Sequence, residues 1–191
     1  MALSKDPGPM SPEQFLRWER EQPQKYEYRY GRIFSMAGGS KSHNLIAVNV
    51  TAAVHGHLID SLCRVFNSDQ KVACSPAGPF YYPEVSVSCD DREEPTGYML
   101  QYPCLIVEVL SKNTAEFDRS VKFRDYGKIE TLQEYLLLDS QVVAASLYRR
   151  QGINLWQVQL FEEAEVLHLD SIAMELPLRT IYSKVIFNQP V

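Results

Sequence analysis

Cysteine is scarce in this chain of 191 residues, and the four it has, Cys63, Cys74, Cys89 and Cys104, stand singly. None forms a CxxC pair or has zinc-finger spacing, which excludes a zinc ribbon and a thioredoxin-type motif. They read as free thiols of a reducing compartment, with packing as their role. No apolar run approaches the ~18 residues of a membrane helix. The opening "MALSKDPGPM" lacks the apolar stretch of a signal peptide, so the expected location is cytoplasmic. Excess positive charge is missing too: the net charge is −5 and the pI about 5.4. Tight non-specific binding to nucleic acid through a basic surface is therefore not expected. Nucleic acid stays open as a substrate, because bound cations and a local basic patch can offset the deficit. P-loop, GxGxxG, nucleophile-elbow and HExxH signatures are all absent.

The chain is 45% hydrophobic and 23% charged, an ordinary composition for a globular protein. Its length favours one domain with a sizeable core. With no repeat, low-complexity block or linker, residues 1–10 are expected to form a flexible tail and 11–191 a single domain.

Along the chain, "SPEQFLRWERE" predicts a helix. Ser11 caps it, Pro12 suits its first position, and Gln14 completes a capping box. "YEYRYGRIFSMAG" reads as a β-hairpin bending at Gly31. "SHNLIAVNVTAAVHGHLID" predicts a second helix whose apolar stripe is Leu45, Val48, Ala52 and His55, extended by Leu58, Ile59 and Leu62. Strands are expected at "CRVFNSD", "QKVAC", "YYPEVSVSC" and "CLIVEVL". "NTAEFDRSVKFRDYGK" predicts a third helix, capped by Asn113 or Thr114 and stopped by Gly127. "EYLLLDS", "VVAASLYRR" and "NLWQVQLF" are further strands, the last two joined around Gln151-Gly152, and a short helix finishes the chain.

Two of these strands carry an acid where burial is expected. In "YYPEVSVSC", Val85 and Val87 point one way and Glu84, Ser86 and Ser88 the other, with Pro83 at the strand start. "CLIVEVL" is apolar on both faces, the mark of a central strand, yet Glu108 shares a face with Ile106 and Leu110. An unpaired buried carboxylate costs several kcal/mol or takes up a proton. Internal pairing removes that cost, and so does a divalent cation shared with Glu84. Two adjacent carboxylates repel unless a proton or a cation lies between them, and hard oxygen ligands in an open site suit Mg2+ or Mn2+. On the third helix Asp118, Lys122 and Tyr126 recur every four residues and so share a face. Lys122 pointing back at the acids would position or deprotonate a water, or stabilise charge on a reacting phosphate.

The remaining residues have plainer readings. His55 and His57 lie two apart on a helix and do not converge on one metal. Lys112, Arg119, Lys122, Arg124 and Lys128 make the third helix basic, which suits a phosphate track or a solvated face interleaved with Asp118 and Asp125. Asp69 in "NSDQKV" is either a turn residue or a neighbour of the site.

"YYPEVSV", "VEVLS", the "DRSVKFRDYG" helix and "EYLLLD" resemble the Uma2 family, part of the PD-(D/E)xK nuclease superfamily. "KYEYRYGRIFSMAGGSKSHNLIAVNVTAAVHGHL" is similar to that family's opening, and the resemblance covers roughly residues 11–187. It implies an α/β fold: a restriction-endonuclease-like core with a central mixed β-sheet flanked by helices. It also implies Mg2+- or Mn2+-dependent hydrolysis of phosphodiester bonds, with nucleic acid, DNA foremost, as partner, and homodimers common in the superfamily. By this resemblance Glu84 stands at the family's aspartate after proline and Glu108 at its second acid. The carbonyl of Val109 completes metal coordination, Lys122 supplies the lysine, and Glu27 and His43 lie near the site. Leu110 occupies the position two after the second acid, where the superfamily's lysine is expected. Glu84 departs from the family aspartate by one methylene, enough to shift a metal by about 1 Å and weaken catalysis. Two other readings stand beside the nuclease: a nuclease-like binding or regulatory module without turnover, and a plain interaction protein whose Glu108 pairs internally with Lys122.

Overall fold

The computed structural model describes residues 8–36 and 38–187. Helix α1 (Pro12–Glu19) starts at the predicted capping box, with Ser11 and Gln14 exchanging side-chain and backbone hydrogen bonds. Strands β1 (Tyr26–Arg29) and β2 (Arg32–Ser35) pair as a hairpin through Tyr30-Gly31, both at positive φ. Such a two-residue turn matches the twist of its strands, and glycine takes that φ without strain. Helix α2 (Lys41–Leu58) follows. Then come β3 (Arg64–Asn67), β4 (Lys71–Ala73), β5 (Phe80–Tyr81), β6 (Val85–Ser88), β7 (Met99–Leu100) and β8 (Leu105–Leu110).

Helix α3 spans residues 115–126 in three pieces: α-helical Ala115–Phe117, a π-helical turn Asp118–Lys122 and α-helical Phe123–Tyr126. The chain continues as β9 (Glu134–Asp139), β10 (Ala144–Gly152), β11 (Leu155–Glu162), β12 (Val166–Leu169) and β13 (Met174–Pro177). A last helical turn, Leu178–Ile181, follows.

The central sheet has six strands in the order β11-β10-β9-β8-β6-β3, with β8 and β9 parallel and the other pairs antiparallel. Its interior strand β8 is buried throughout, as an apolar run on both faces requires. Alternation then sorts the side chains. Val85, Val87, Leu105, Val107 and Val109 face α2 and the β12–β13 hairpin. Ile106, Leu110, Tyr135 and Leu137 face Tyr126 of α3 together with Val72 and Tyr81. Glu108 therefore points to the α3 side. A second sheet, β2-β1-β5-β4-β7, was not foreseen as a separate layer.

Several expectations need correction. The buried face of α2 is Ile46, Val50, Val54 and Leu58, while Leu45, Val48, Ala52 and His55 face solvent, as do Ile59 and Leu62 just beyond it. Apolar residues occur on both sides of this helix, so spacing alone did not choose between them. The β10–β11 turn lies two residues beyond Gln151-Gly152, because a bulge between Arg150 and Gly152 extends β10. The β12–β13 hairpin was missed. Thr114 precedes α3 without a side-chain cap to its backbone. Met10, assigned to the tail, is held by hydrogen bonds between its N–H and the Gly31 carbonyl and from the Tyr28 hydroxyl to its own carbonyl. Residues 1–7 of that tail lie outside the described residues.

The cysteines are not all free. Cys63 and Cys89 form a disulfide joining the entry to β3 with the exit of β6, and Cys74 and Cys104 remain thiols. Strand pairing brings Cys63 and Cys89 together although 26 positions separate them in sequence.

Candidate active site

Glu84 ends the segment entering β6, and Glu108 lies mid-way along the neighbouring β8. Glu84 Oε2 accepts a hydrogen bond from the Val109 N–H at 3.1 Å, so the longer acid spans to the next strand. Its Oε1 lies 3.1 Å from His43 Nε2. His43 sits in the first turn of α2, where its N–H donates to the capping hydroxyl of Ser40. Gly39 makes room for it: a Cβ there would come 2.7 Å from His43 Nδ1.

Helix α3 supplies the cation. Lys122 Nζ lies 3.0 Å from Glu108 Oε1, 2.9 Å from Glu27 Oε1 on β1 and 3.6 Å from Asp118 Oδ1. The Tyr126 hydroxyl donates to the same Glu108 oxygen at 3.0 Å. The predicted helix face of Asp118, Lys122 and Tyr126 thus does point at the site. The π-helical turn, with its i→i+5 hydrogen bonding, widens the helix where it faces the site. The Asp118 carbonyl accepts from the Phe123 N–H within this turn and also from the buried Tyr135 hydroxyl. A second anchor fixes α3 to the hairpin. Buried Asp125 accepts from Arg29, Tyr30, Tyr81 and Lys128.

Burial and charge set the protonation states. Burial raises the Glu108 carboxyl well above its ordinary range; Lys122 opposes this and Glu84 reinforces it. Burial also works against the Glu84 carboxylate, but hydrogen bonds from His43 and Glu108 and the nearby positive charges outweigh it and lower that group. One proton held toward Glu108 thus makes the contact between the two acids tolerable. Burial disfavours charged Lys122, yet Glu108, Glu27 and Asp118 together raise it well above its usual value. His43 is raised as well: burial lowers it, and Glu84 with the Val109 carbonyl more than compensates.

These groups line a cavity of about 830 Å³, whose walls include Phe34, Ser40, His43, Thr114 and Phe117. Of the residues singled out from sequence, Glu84, Glu108, Lys122, Val109, Glu27 and His43 all line it, and Tyr126 touches it through Glu108. Asp69 does not. It lies in the β3–β4 turn, exposed and paired with Lys25 at 2.9 Å, because the turn residue type won over proximity. The aromatic wall of Phe34 and Phe117 was not read from sequence; a single exposed aromatic on a hairpin gives no such signal. Of the basic residues around α3, Lys122 is buried in ion pairs, Lys128 is held by Asp125 and Arg119 donates to Ser146, while Lys112 and Arg124 are exposed. His57 contacts the Ile172 carbonyl, and His168 lies 3.5 Å from Glu175, both away from the cavity.

The Uma2 family profile, described as "Putative restriction endonuclease", matches residues 12–179. The chain belongs to the Uma2 family. Two proteins from Synechocystis sp. (strain ATCC 27184 / PCC 6803 / Kazusa) are similar to the chain along most of their length. Protein slr1290 is 38% identical over 178 residues, covering 93% of this chain and 94% of its own. Protein sll1609 is 30% identical over 157 residues, covering 80% and 89% respectively. Among solved structures, one described as a "putative nuclease belonging to DUF820" from Anabaena variabilis ATCC 29413 aligns with a TM-score of 0.74. It shares 19% identity and covers 93% of this chain and 100% of its own, a likeness of fold. This Uma2 protein therefore has the expected mixed α/β restriction-endonuclease-like architecture.

Among the described residues, no group of three or more His, Cys, Asp or Glu side chains is placed to hold a metal ion. Magnesium sites seldom need such a group, since they keep several waters and use one or two carboxylates. Glu84 and Glu108 line one cavity from adjoining segments together with Val109, and carboxylate and carbonyl oxygens are the hard donors that such an ion takes.

Proposed function

We propose that this Uma2 protein is a metal-dependent endonuclease that hydrolyses phosphodiester bonds in DNA. The observation that carries the reading is that Glu84, at the entry to β6, and Glu108, on adjacent β8, line one cavity, with Lys122 Nζ 3.0 Å from Glu108. Glu84, Glu108 and the Val109 carbonyl would hold Mg2+ or Mn2+. Such an ion, when bound, supplies an acidified water and neutralises charge on phosphoryl oxygens.

The chain's own groups prepare the site. Its raised affinity for protons keeps Lys122 charged at neutral pH. It acts as a fixed donor that positions a water or a phosphoryl oxygen, and the base role is disfavoured. Glu27 and Asp118 hold that ammonium in place. His43 braces Glu84 from the α2 side, and Tyr126 braces Glu108 from α3.

The test is a plasmid-nicking assay with Mg2+ or Mn2+. Metal-dependent nicking that disappears in Glu108→Ala and Lys122→Ala supports the reading; nicking that survives chelation or both substitutions contradicts it. A second reading, a nuclease-like binding module without turnover, is favoured by one observation. Lys122 is already engaged by three carboxylates, and Glu84 by His43. Binding to DNA with no nicking at any metal concentration would select it.

A further inference from the structure

We propose that the cavity takes nucleic acid as a single strand or an unpaired end, and that an intact duplex is a poor substrate. The inference rests on the nuclease reading and names the form of substrate it takes. Its first support is depth. Glu108 is 3% exposed and Lys122 6%, at the floor of a cavity of about 830 Å³. That volume lies within the ~300–1,000 Å³ of pockets that engulf small ligands. A phosphate on the outside of a double helix is flanked by its own sugars and grooves and does not reach such a floor, whereas one extended nucleotide does.

Charge is the second support. The lining holds Glu27, Glu84, Glu108 and Asp118 against Lys112, Lys122 and His43. Proteins that grip duplex DNA neutralise many phosphates at once with Lys and Arg. Here Lys122 is committed to the acids, Lys128 to Asp125 and Arg119 to Ser146. Of Lys112 and Arg124, both exposed, Lys112 lines the cavity and can meet a phosphate at its mouth, which suits a short contact and not a long backbone.

The third support is aromatic. Phe34 is 39% exposed on the cavity wall, with its ring 6.1 Å from that of Phe117 on α3. A base inside a duplex has no free face, but an unpaired base stacks on such a ring without regard to sequence. Phe34 thus supplies by stacking the contact that basic residues do not.

The experiment is fluorescence anisotropy with labelled DNA: a 20-nucleotide single strand, the same sequence as a blunt duplex, and that duplex with an overhang. Cleavage of the same three oligonucleotides with Mn2+ is followed in parallel. The single strand and the overhang are expected to bind and to be cut at least roughly ten-fold better than the blunt duplex. Phe34→Ala is expected to weaken single-strand binding by roughly ten-fold, the scale of one lost stacking contact, with its melting temperature unchanged. Phe34→Trp should retain binding. Equal or better binding and cleavage of the blunt duplex overturns the inference and leaves the nuclease reading standing. Single-strand preference in binding without any cleavage supports the inference and removes the nuclease reading. Binding to none of the three overturns it, as does Phe34→Ala binding like the parent.

Discussion

Lys122 Nζ lies between Glu108 Oε1, at 3.0 Å, and Glu27 Oε1, at 2.9 Å, so one helix residue ties β8 of the central sheet to β1 of the second sheet. A buried ammonium held this way is structural and electrostatic at once. Removing it leaves buried acids without a countercharge, and each then takes up a proton or destabilises the fold.

Lys122→Ala is accordingly expected to cost about 3–5 kcal/mol of stability. Adding Glu108→Gln should recover part of that loss, because the second change removes the stranded acid. Urea unfolding of both single variants and the double variant measures this. Strict additivity would show that the two groups do not interact.

Asp125 gives a pH-dependent term. Burial raises its carboxyl, but Lys128, Arg29 and Tyr81 outweigh this and hold it below its ordinary value. A group with a lowered folded pKa adds stability above the unfolded value, near 3.8, and loses it as pH falls through the folded one. Asp125→Asn should therefore lower the melting temperature clearly at pH 7, by about 3 kcal/mol equivalent. The gap to the parent should narrow below pH 4. A gap that is constant with pH would show that the charge contributes nothing.

The face of α2 is open to a direct check. Ile46→Ala, at a fully buried position, should cost roughly 2–4 kcal/mol. Val48→Ala, on the solvent side, should stay within about 0.5 kcal/mol. Thermal or chemical unfolding separates the two, and a reversed order would restore the stripe read from sequence.

Protein purified without reductant should show two free thiols per chain after denaturation, those of Cys74 and Cys104. Reduction opens a loop of 26 positions and should lower stability by roughly 3 kcal/mol. Four reactive thiols before reduction would contradict the pairing.

The candidate site was legible in sequence to an unusual degree for a physical reason. Glu108 sits in a strand whose alternation fixes its side, Glu84 lies just before the neighbouring strand, and Lys122 lies on a helix that follows β8 closely. Short connections leave such segments few ways to pack. What stayed hidden depends on long-range pairing. The disulfide and the Asp125 cluster join residues far apart in the chain, and the second sheet is built partly from two-residue strands, β5 and β7, too short to show a period. The α2 face was lost to apolar residues on both sides. The π-helical turn has no mark in "DRSVK" that distinguishes it from ordinary helix.

The account depends on Glu84 and Glu108 acting together on a divalent ion, and isothermal titration with Mn2+ measures that directly. One site per chain is predicted for the parent protein, lost in both Glu84→Ala and Glu108→Ala and kept in Phe34→Ala. Absence of binding in the parent, or binding that persists when either acid is removed, would contradict it.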